Sequence, residues 1–262
     1  MANGKETAGQ GEKHILSACC GGLFCIQGKQ KAQSSSSLHT RQFYKSPSQC
    51  VARGFRVCTL AKTVLRLQPA TGGQILFRGQ DITALPERKL GSIRREVQFI
   101  FQDPYGSLDP RQTAGSVVGE AIRTHHLAKN KADYDQRVDA LFEAMGLDPG
   151  LKDRAPHELS GGQRQRLCVA AALASEPSFV ICDEPISALD VSIQAQIINL
   201  LIDLQAKRGL TYLFIAHDLS VVRHISDRIA VMYLGRVVEI SLWDRLYENP
   251  LLGRTLNLDT CS

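Results

Sequence analysis

A glycine-containing turn followed by a buried strand is the feature that most constrains how this chain can fold. Residues 159–163 read Leu-Ser-Gly-Gly-Gln and precede a run with helical character, so the turn presents backbone N–H groups and the positive end of a helix dipole to an anion. The apolar run 179–182 then ends in Asp183 and Glu184, which is typical of a buried parallel strand that delivers carboxylates to the carboxyl edge of a sheet. Ligands bind at that edge in α/β folds, so the two elements together predict a phosphate site.

The remaining pattern is that of an α/β domain with an inserted helical part. Apolar runs alternate with stretches of helical spacing, which favours a mostly parallel, doubly wound sheet core. Between residues 111 and 150 the apolar residues recur at helical spacing, and this predicts helices rather than strands. The predicted strands cover 74–78, 97–101, 178–182, 211–216 and 228–233, and the predicted helices cover 59–67, 191–206 and 218–225.

Length and charge narrow the class of protein. The 262 residues suffice for one large α/β domain, and no apolar run is long enough to cross a bilayer. The net charge of +5 comprises +6 from residues 1–58 and −1 from the rest. Because the body of the chain is near neutral, it gives no support for nucleic-acid binding, and no nucleic acid is expected among the partners.

The turn at 159–163 and the strand ending at Glu184 resemble the signature motif and the Walker B motif of ATP-binding cassette (ABC) ATPases. Further family motifs have counterparts in the expected order: residues 101–104 (Phe-Gln-Asp-Pro) resemble the Q-loop, residues 187–190 (Ser-Ala-Leu-Asp) the D-loop, and residues 216–218 (Ala-His-Asp) the switch histidine. The resemblance covers roughly residues 59–250. It implies a P-loop NTPase-like α/β fold of the ABC cassette type, with an inserted helical subdomain at about residues 111–172 that carries the signature motif.

The resemblance also implies a role for each site residue. Asp183 would hold Mg²⁺, Glu184 would polarise the attacking water, and His217 would contact the γ-phosphate and link it to Glu184. Gln102, in the Q-loop, would sense Mg²⁺ and water, which makes it both a catalytic and a metal-site residue. ATP and Mg²⁺ are the implied cofactors. The residues implied to bind nucleotide across the interface with an opposing cassette are Ser160, Gly161, Gly162, Gln163 and Asp190.

Residues 102–111 narrow the resemblance within the family to the ATPases of dipeptide, oligopeptide and nickel importers, and residues 155–160 and 239–250 agree. This implies an ATP-hydrolysing subunit that is peripheral on the cytoplasmic face of the plasma membrane. The implied partners are a second ABC ATPase subunit in a homo- or heterodimer, two transmembrane permease subunits and, indirectly, a substrate-binding protein. Peptides, glutathione and nickel are not separated as cargo, because the cassette does not touch it.

The P-loop that the family carries before this domain is missing from the sequence. A P-loop needs Gly-x-x-x-x-Gly-Lys-Ser/Thr before a helix, so that N–H groups wrap the phosphates and the lysine neutralises their charge. With residues 59–62 on that helix, the second glycine, lysine and hydroxyl positions hold Arg56, Val57 and Cys58, and only Gly54 fits. Residues 1–58 are therefore expected to be an atypical, mostly disordered segment, and residues 251–262 an atypical tail.

Two other functions stay open at this point. The missing P-loop favours a non-catalytic, degenerate cassette that binds a partner cassette without hydrolysing ATP. A soluble ABC ATPase outside transport is the other alternative, against which the near-neutral body argues. A shifted reading frame, a mispredicted gene start or a degenerate copy would each produce the abrupt change near residue 58.

Overall fold

The structure, a computed structural model, describes residues 57–187, 189–216, 218–233 and 236–248, and the backbone alone of residues 22–27. Within these ranges the strands are β1 (Gly22–Gln27), β2 (Leu76–Phe77), β3 (Gln80–Asp81), β4 (Val97–Ile100), β5 (Phe179–Asp183), β6 (Thr211–Ala216), β7 (Arg228–Tyr233) and β8 (Arg236–Leu242). The α-helices are α1 (Val57–Val64), α2 (Gly91–Glu96), α3 (Pro104–Ser107), α4 (Ala114–Thr124), α5 (Lys131–Ala144), α6 (Gly161–Leu173), α7 (Val191–Arg208), α8 (Leu219–Ile225) and α9 (Trp243–Glu248).

One six-stranded sheet, in the order β4-β5-β6-β1-β7-β8, organises the described residues, and β2 pairs with β3 separately. The strands β4, β5 and β6 are parallel to one another. The strand β7 runs in the same direction, because β6 and β7 are both antiparallel to β1. Four strands therefore share one direction, which confirms the predicted mostly parallel α/β core. The carboxyl ends of β4, β5 and β6 meet at one edge of the sheet, called the carboxyl edge below.

The strand β1 lies in a part of the chain where the sequence analysis placed no strand. It pairs with β6 on one side and β7 on the other, with Leu23 opposite both Ala216 and Val231. Because β1 is antiparallel to β6, its Gly22 end lies at the carboxyl edge and its Gln27 end at the opposite edge. The rest of the segment expected to be disordered, apart from the first residues of α1, lies outside the described residues, as does the tail 251–262.

Helices cover both faces of the sheet, as a doubly wound core requires. On one face, α1 packs Leu60 and Leu65 in a cluster with Ile181 of β5 and Leu213 of β6. The opposite face carries a larger cluster that joins α4, α5, α6 and α7 to the same two strands. That cluster includes Ile122, Phe142, Leu167, Val180, Ile197, Tyr212 and Phe214. The site strands β5 and β6 are therefore fixed by packing from both sides.

The helical block predicted for residues 111–150 divides into α4 and α5. Thr113 caps the start of α4 and Asn130 caps the start of α5, each through its side-chain oxygen. Gly146, with a φ of 61°, follows the end of α5. Together with α6, these helices form what we call the helical subdomain. Among the described residues, no helix is both long and apolar enough to cross a lipid bilayer.

The hydroxyl of Tyr212 is buried in the larger cluster and has no hydrogen-bond partner within the described residues. Burial raises the pKa of Tyr212 far above its ordinary value, and Cys182 adds to the rise. The unfolded chain ionises this tyrosine above about pH 10 whereas the folded chain keeps it neutral, so the fold loses stability as the pH rises past that value. The stabilising contribution is fully present below it.

We therefore expect Tyr212→Phe to leave the free energy of unfolding at pH 7 unchanged or raise it by about 1 kcal/mol. The variant should also lose less stability than the parent between about pH 9 and 11. Urea unfolding at pH 7 measures the first effect. Urea unfolding at about pH 9 and at about pH 11 measures the second. Tyr134→Phe is the matched control, since its hydroxyl accepts a hydrogen bond from Arg123 Nη1 at 2.6 Å and its removal should cost about 1 kcal/mol. A loss above about 2 kcal/mol for Tyr212→Phe at pH 7 would contradict the assignment of an unpartnered hydroxyl.

Candidate functional site

The strand β5 delivers two carboxylates to the carboxyl edge. Its apolar residues are buried between β4 and β6, and its last residue, Asp183, is 3% exposed. Glu184 follows with a φ of 46°, in the left-handed region that residues other than glycine rarely adopt. Its N–H donates to the backbone oxygen of Ile215 at 3.0 Å, which holds this conformation against β6. Backbone strain of this kind is often found at functional sites.

Gln102, which follows β4, contacts the carboxylate of Glu184. Its Nε2 donates a hydrogen bond to Glu184 Oε2 at 2.7 Å, although the two residues are 82 positions apart in the chain. The preceding residue, Phe101, is partly exposed and its ring lies 4.4 Å from that of Phe99. The sequence analysis predicted both Gln102 and Glu184 as site residues but not their direct contact. The hydrogen bond to a charged acceptor fixes the orientation of the Glu184 carboxylate.

The helix α3, which follows the Q-loop, contacts the helix that carries the signature motif. Ser107 Oγ lies 3.5 Å from Cys168 Sγ in α6. Burial raises the pKa of the Cys168 thiol, and the charge of Asp103 also raises it, so the thiol is protonated at neutral pH. The neutral Ser–Cys contact is one link between the Q-loop segment and the helical subdomain.

The predicted signature turn, Ser160 to Gly162, begins α6 and is capped in both directions. Ser160 Oγ accepts a hydrogen bond from the N–H of Gln163 at 3.3 Å, and Gln163 Oε1 accepts one from the N–H of Ser160 at 2.9 Å. This capping box leaves the positive end of a 13-residue helix beside an exposed serine. Gln163 therefore serves the turn itself in this structure. The part it was predicted to play toward nucleotide stays a prediction.

The described residues of the D-loop, Ser187, Leu189 and Asp190, lie in the chain between the carboxylates and α7. Asp190 is exposed and begins α7 without making a side-chain cap bond. Gln194 donates from Nε2 to the backbone oxygens of Ile186 at 3.1 Å and Leu189 at 3.0 Å, and so holds this segment in place. Sequence reasoning missed Gln194, because its acceptors are main-chain atoms that no residue pattern identifies.

His217 lies outside the described residues, so its predicted role stays a prediction. The residues on either side of it are described. Ala216 ends β6 at the carboxyl edge, and Asp218 caps α8 by accepting the N–H of Ser220 at 2.8 Å. Among the site residues predicted from the sequence, the structure brings Gln102 into direct contact with Glu184, which follows Asp183 in the chain.

The carboxylates at this edge fit a magnesium ion. Mg²⁺ is usually held in proteins by one or two carboxylates, with phosphates and water as its other ligands. Asp183 is a buried carboxylate at a strand end, and Glu184 directly follows it. The donor set therefore suits an ion shared with a phosphate ligand. Asp183 is the residue that would hold it.

The residues that the sequence analysis aligned with the P-loop adjoin the start of α1. The helix begins at Val57, and in that alignment Arg56, Val57 and Cys58 occupy the positions of the glycine, the lysine and the hydroxyl. Lys62 is in the last turn of α1, away from the helix start. The chain between β1 and α1 lies outside the described residues, so the absence of a P-loop stays a prediction.

Comparison with known proteins agrees with this geometry. The sequence model of the ABC transporter family matches residues 58–187, and it begins where the sequence analysis placed the change to family-like sequence. The oligopeptide transport ATP-binding protein OppF of Bacillus subtilis is 53% identical over 201 residues, which are 76% of this chain and 66% of that protein. The glutathione import ATP-binding protein GsiA of Escherichia coli is 55% identical over 192 residues, which are 73% of this chain and 31% of that protein.

Solved structures of ATP-binding cassettes have the same fold. The dimeric, post-hydrolysis state of the cassette MJ0796 with ADP and Pi matches with a TM-score of 0.64 at 28% identity, over 71% of this chain and 80% of that chain. The cassette cbiO1 from Clostridium perfringens, part of the transporter complex cbiONQ, matches with a TM-score of 0.65 at 27% identity, over 77% of this chain and 78% of that chain. The chain spans 66% of the length of OppF and less of GsiA, so it matches only part of these curated relatives.

Proposed function

This chain belongs to the ABC transporter family, and we propose that it is the ATP-binding subunit that energises an importer of peptides. The observation that carries the proposal is the contact between Gln102 and Glu184 beside the buried Asp183. It joins a strand-end carboxylate pair to the loop that, in the resembling ATPases, faces the membrane subunits. The similarity to OppF and GsiA supports peptides, including glutathione, as the class of cargo.

In the proposed reaction each residue of this chain has a limited task. Asp183 would hold Mg²⁺, which when bound neutralises phosphate charge. Glu184 would accept the proton of the attacking water, a role that suits a carboxylate already held in one orientation by Gln102. The N–H groups and the Ser160 hydroxyl at the start of α6 would bind the phosphates of a nucleotide presented by an opposing cassette.

The proposed partners follow from this division of tasks. Because the signature turn and Asp190 are exposed or partly exposed, a second ABC ATPase subunit, identical or different, would pack against them. The Q-loop segment would contact two transmembrane permease subunits, which would hold the chain at the cytoplasmic face of the membrane. A substrate-binding protein would act only indirectly, through those permeases.

A chimera tests the proposed function apart from the missing P-loop. Residues 59–250 of this chain replace the matching part of Bacillus subtilis OppF in a strain that lacks OppF, and uptake of a labelled oligopeptide is measured. We expect uptake above that of the strain without OppF, and no uptake when the chimera also carries Glu184→Gln. A chimera that is folded and fractionates with the membrane but supports no uptake would refute the proposal.

The trans role of the signature turn predicts a second result in the same chimera. Ser160→Arg would remove an N-cap, at a cost of about 1 kcal/mol in stability. It would also place bulk and positive charge where the opposing nucleotide binds, so cooperative ATP hydrolysis should be lost. Thr113→Arg is the matched control, because it removes the cap of a different helix, α4, in the same subdomain. Equal hydrolysis by the two variants would exclude the trans site.

A non-catalytic cassette is the second candidate function. One observation favours it: the residues aligned with the P-loop lack its lysine and hydroxyl. Such a chain would bind a partner cassette and offer its signature turn without hydrolysing ATP at its own carboxylates. Calorimetric titration of Mg-ATP into the unaltered chain bears on this choice: the weak binding argued in the Discussion would favour the non-catalytic candidate, and tight binding would favour the first.

A further inference from the structure

Arg166 connects three helices next to the signature turn. It lies in α6, one helical turn after Gly162, and its guanidinium donates in two directions. Nη1 donates to the backbone oxygen of Met145 at 2.7 Å, and Nη2 donates to Gln196 Oε1 at 2.8 Å. Met145 ends α5, and Gln196 belongs to α7. One side chain thus links α5 and α6 of the helical subdomain to α7, which packs on the sheet.

The end of α5 is shaped to receive this guanidinium. The last carbonyls of a helix lack partners within the helix and carry the negative end of its dipole, so they favour a cation. Gly146, the next residue, has a φ of 61°, and a Cβ there would lie 3.0 Å from Arg166 Nη1. Glycine suits this position, because it adopts this backbone conformation readily and leaves room for Arg166.

The start of α6 lies against the start of α7. A Cβ at Gly162 would lie 3.0 Å from Ile193 Cγ2, so the backbone of the signature turn approaches α7 closely. Gln196 lies three residues beyond Ile193 and therefore on the same face of α7. The close approach at Gly162 and the hydrogen bond from Arg166 are consecutive contacts between the two helices.

The helix α7 is in turn connected to the carboxylates. It follows directly from the D-loop, whose backbone Gln194 holds in place. The hydroxyl and the N–H of Ser187, at the start of the D-loop, both donate to the backbone oxygen of Glu184. A contact that fixes α6 against α7 therefore also fixes the signature turn relative to the carboxylates of the same chain.

We propose that Arg166 is a positioning residue that sets the angle between the helical subdomain and the sheet core. It acts through the signature turn, which it holds at the place where an opposing nucleotide would meet it. The consequence for transport rests on the proposed function, whereas the connection itself is a property of the folded chain. Lysine cannot replace arginine here, because a single ammonium group cannot span two acceptors on different helices as the planar guanidinium does.

The experiment measures the position of the helical subdomain in the full chain without nucleotide. Spin labels are attached through ketone-bearing amino acids at Gln136 of α5 and Asn199 of α7, both exposed, so that the eight native cysteines are unaffected. Double electron–electron resonance then gives the distribution of distances between the labels. We expect one population in the parent and a second, shifted population in Arg166→Lys.

Two further variants separate positioning from a general loss of stability. Arg154→Lys is the matched control in the same subdomain, since Arg154 is exposed and its nearest acidic partner, Glu158, is 3.9 Å away. It should keep the distribution of the parent. Adding Gln196→Glu to Arg166→Lys gives the lysine a charged acceptor on α7, and this should remove the second population.

Thermal unfolding and the distance distributions together test whether Arg166 has a positioning role. Thermal unfolding of Arg166→Lys should stay cooperative with a midpoint about 2–4 °C lower, as the loss of one hydrogen bond predicts. An unchanged distance distribution in Arg166→Lys, or equal broadening in Arg154→Lys, would overturn the positioning role. Because no nucleotide is present, the expected shift can appear even if the OppF chimera fails to import peptides, and the two proposals therefore fail separately.

Discussion

We expect Glu184→Gln to lower the rate of Mg-ATP hydrolysis by the OppF chimera by about 10²–10⁴-fold, the range typical of the removal of a general base. Glutamine keeps the size of the side chain and its ability to bind water, but it cannot accept the proton. Nucleotide binding should persist, so the cassette dimer should accumulate in the ATP-bound state. Phosphate release under saturating ATP measures the rate, and size-exclusion chromatography measures the trapped dimer.

A second glutamate in the left-handed conformation supplies the control for this result. Glu176 has a φ of 56° and forms an exposed ion pair with Arg137. Glu176→Gln therefore makes the same chemical change in a similar backbone conformation away from the carboxyl edge. It should leave hydrolysis within about twofold of the parent, because exposed ion pairs contribute little. Near-normal turnover by Glu184→Gln would show that this carboxylate is not the base.

We expect Mg-ATP binding by the unaltered chain to be weaker than binding by an intact cassette by at least about a thousandfold. The missing loop removes several N–H donors and a lysine, and hydrogen bonds to charged groups contribute about 1.5–3 kcal/mol each, so three losses suffice for this factor. Micromolar affinity should therefore be undetectable by calorimetric titration. Tight binding by the unaltered chain would contradict our placement of the P-loop and would remove the observation that favours the non-catalytic alternative.

Restoring glycine, lysine and serine at Arg56, Val57 and Cys58 should recover part of this affinity. We expect a gain of at least about tenfold, equivalent to one charge-assisted contact of about 1.5 kcal/mol. Leu67→Lys is the control for charge alone, because it adds a lysine at an exposed position just after α1. It should give no gain. If the triple substitution also gave none in a folded chain, these three positions would not be those of the P-loop.

The sheet could be predicted in part from local sequence. The strands β4 to β7 are mostly apolar runs, which mark strands buried on both faces. The strands β4 and β5 lie within one residue of their predicted limits, and β6 and β7 match them. The strands β1 and β8 were not predicted. The strand β1 contains the short apolar run 23–26, but its place in the sheet depends on pairing with β6 and β7, far along the chain. The helical block was predicted as a whole, but the interval between α4 and α5 was missed.

For the candidate site, too, the sequence predicted one part and missed another. Asp183, Glu184, Gln102 and the signature turn were predicted because residue types at a fixed order indicate them. Contacts between them were not predicted, since the hydrogen bond from Gln102 to Glu184 joins side chains from separate strands. Gln194 and Arg166 were missed for another reason: several of their partners are main-chain oxygens, and a sequence pattern contains no record of these.

The left-handed backbone conformation of Glu184 lowers the stability of the fold at a position where the proposed reaction needs a carboxylate. A residue other than glycine in a rarely populated conformation of this kind costs about 1–3 kcal/mol. Glu184→Gly would relieve that cost and should raise the thermal midpoint of the chain, yet it would remove the carboxylate that the proposed reaction needs. Selection for a more heat-resistant fold alone would therefore favour losing this side chain, so its presence in a strained backbone is better explained by chemistry than by folding.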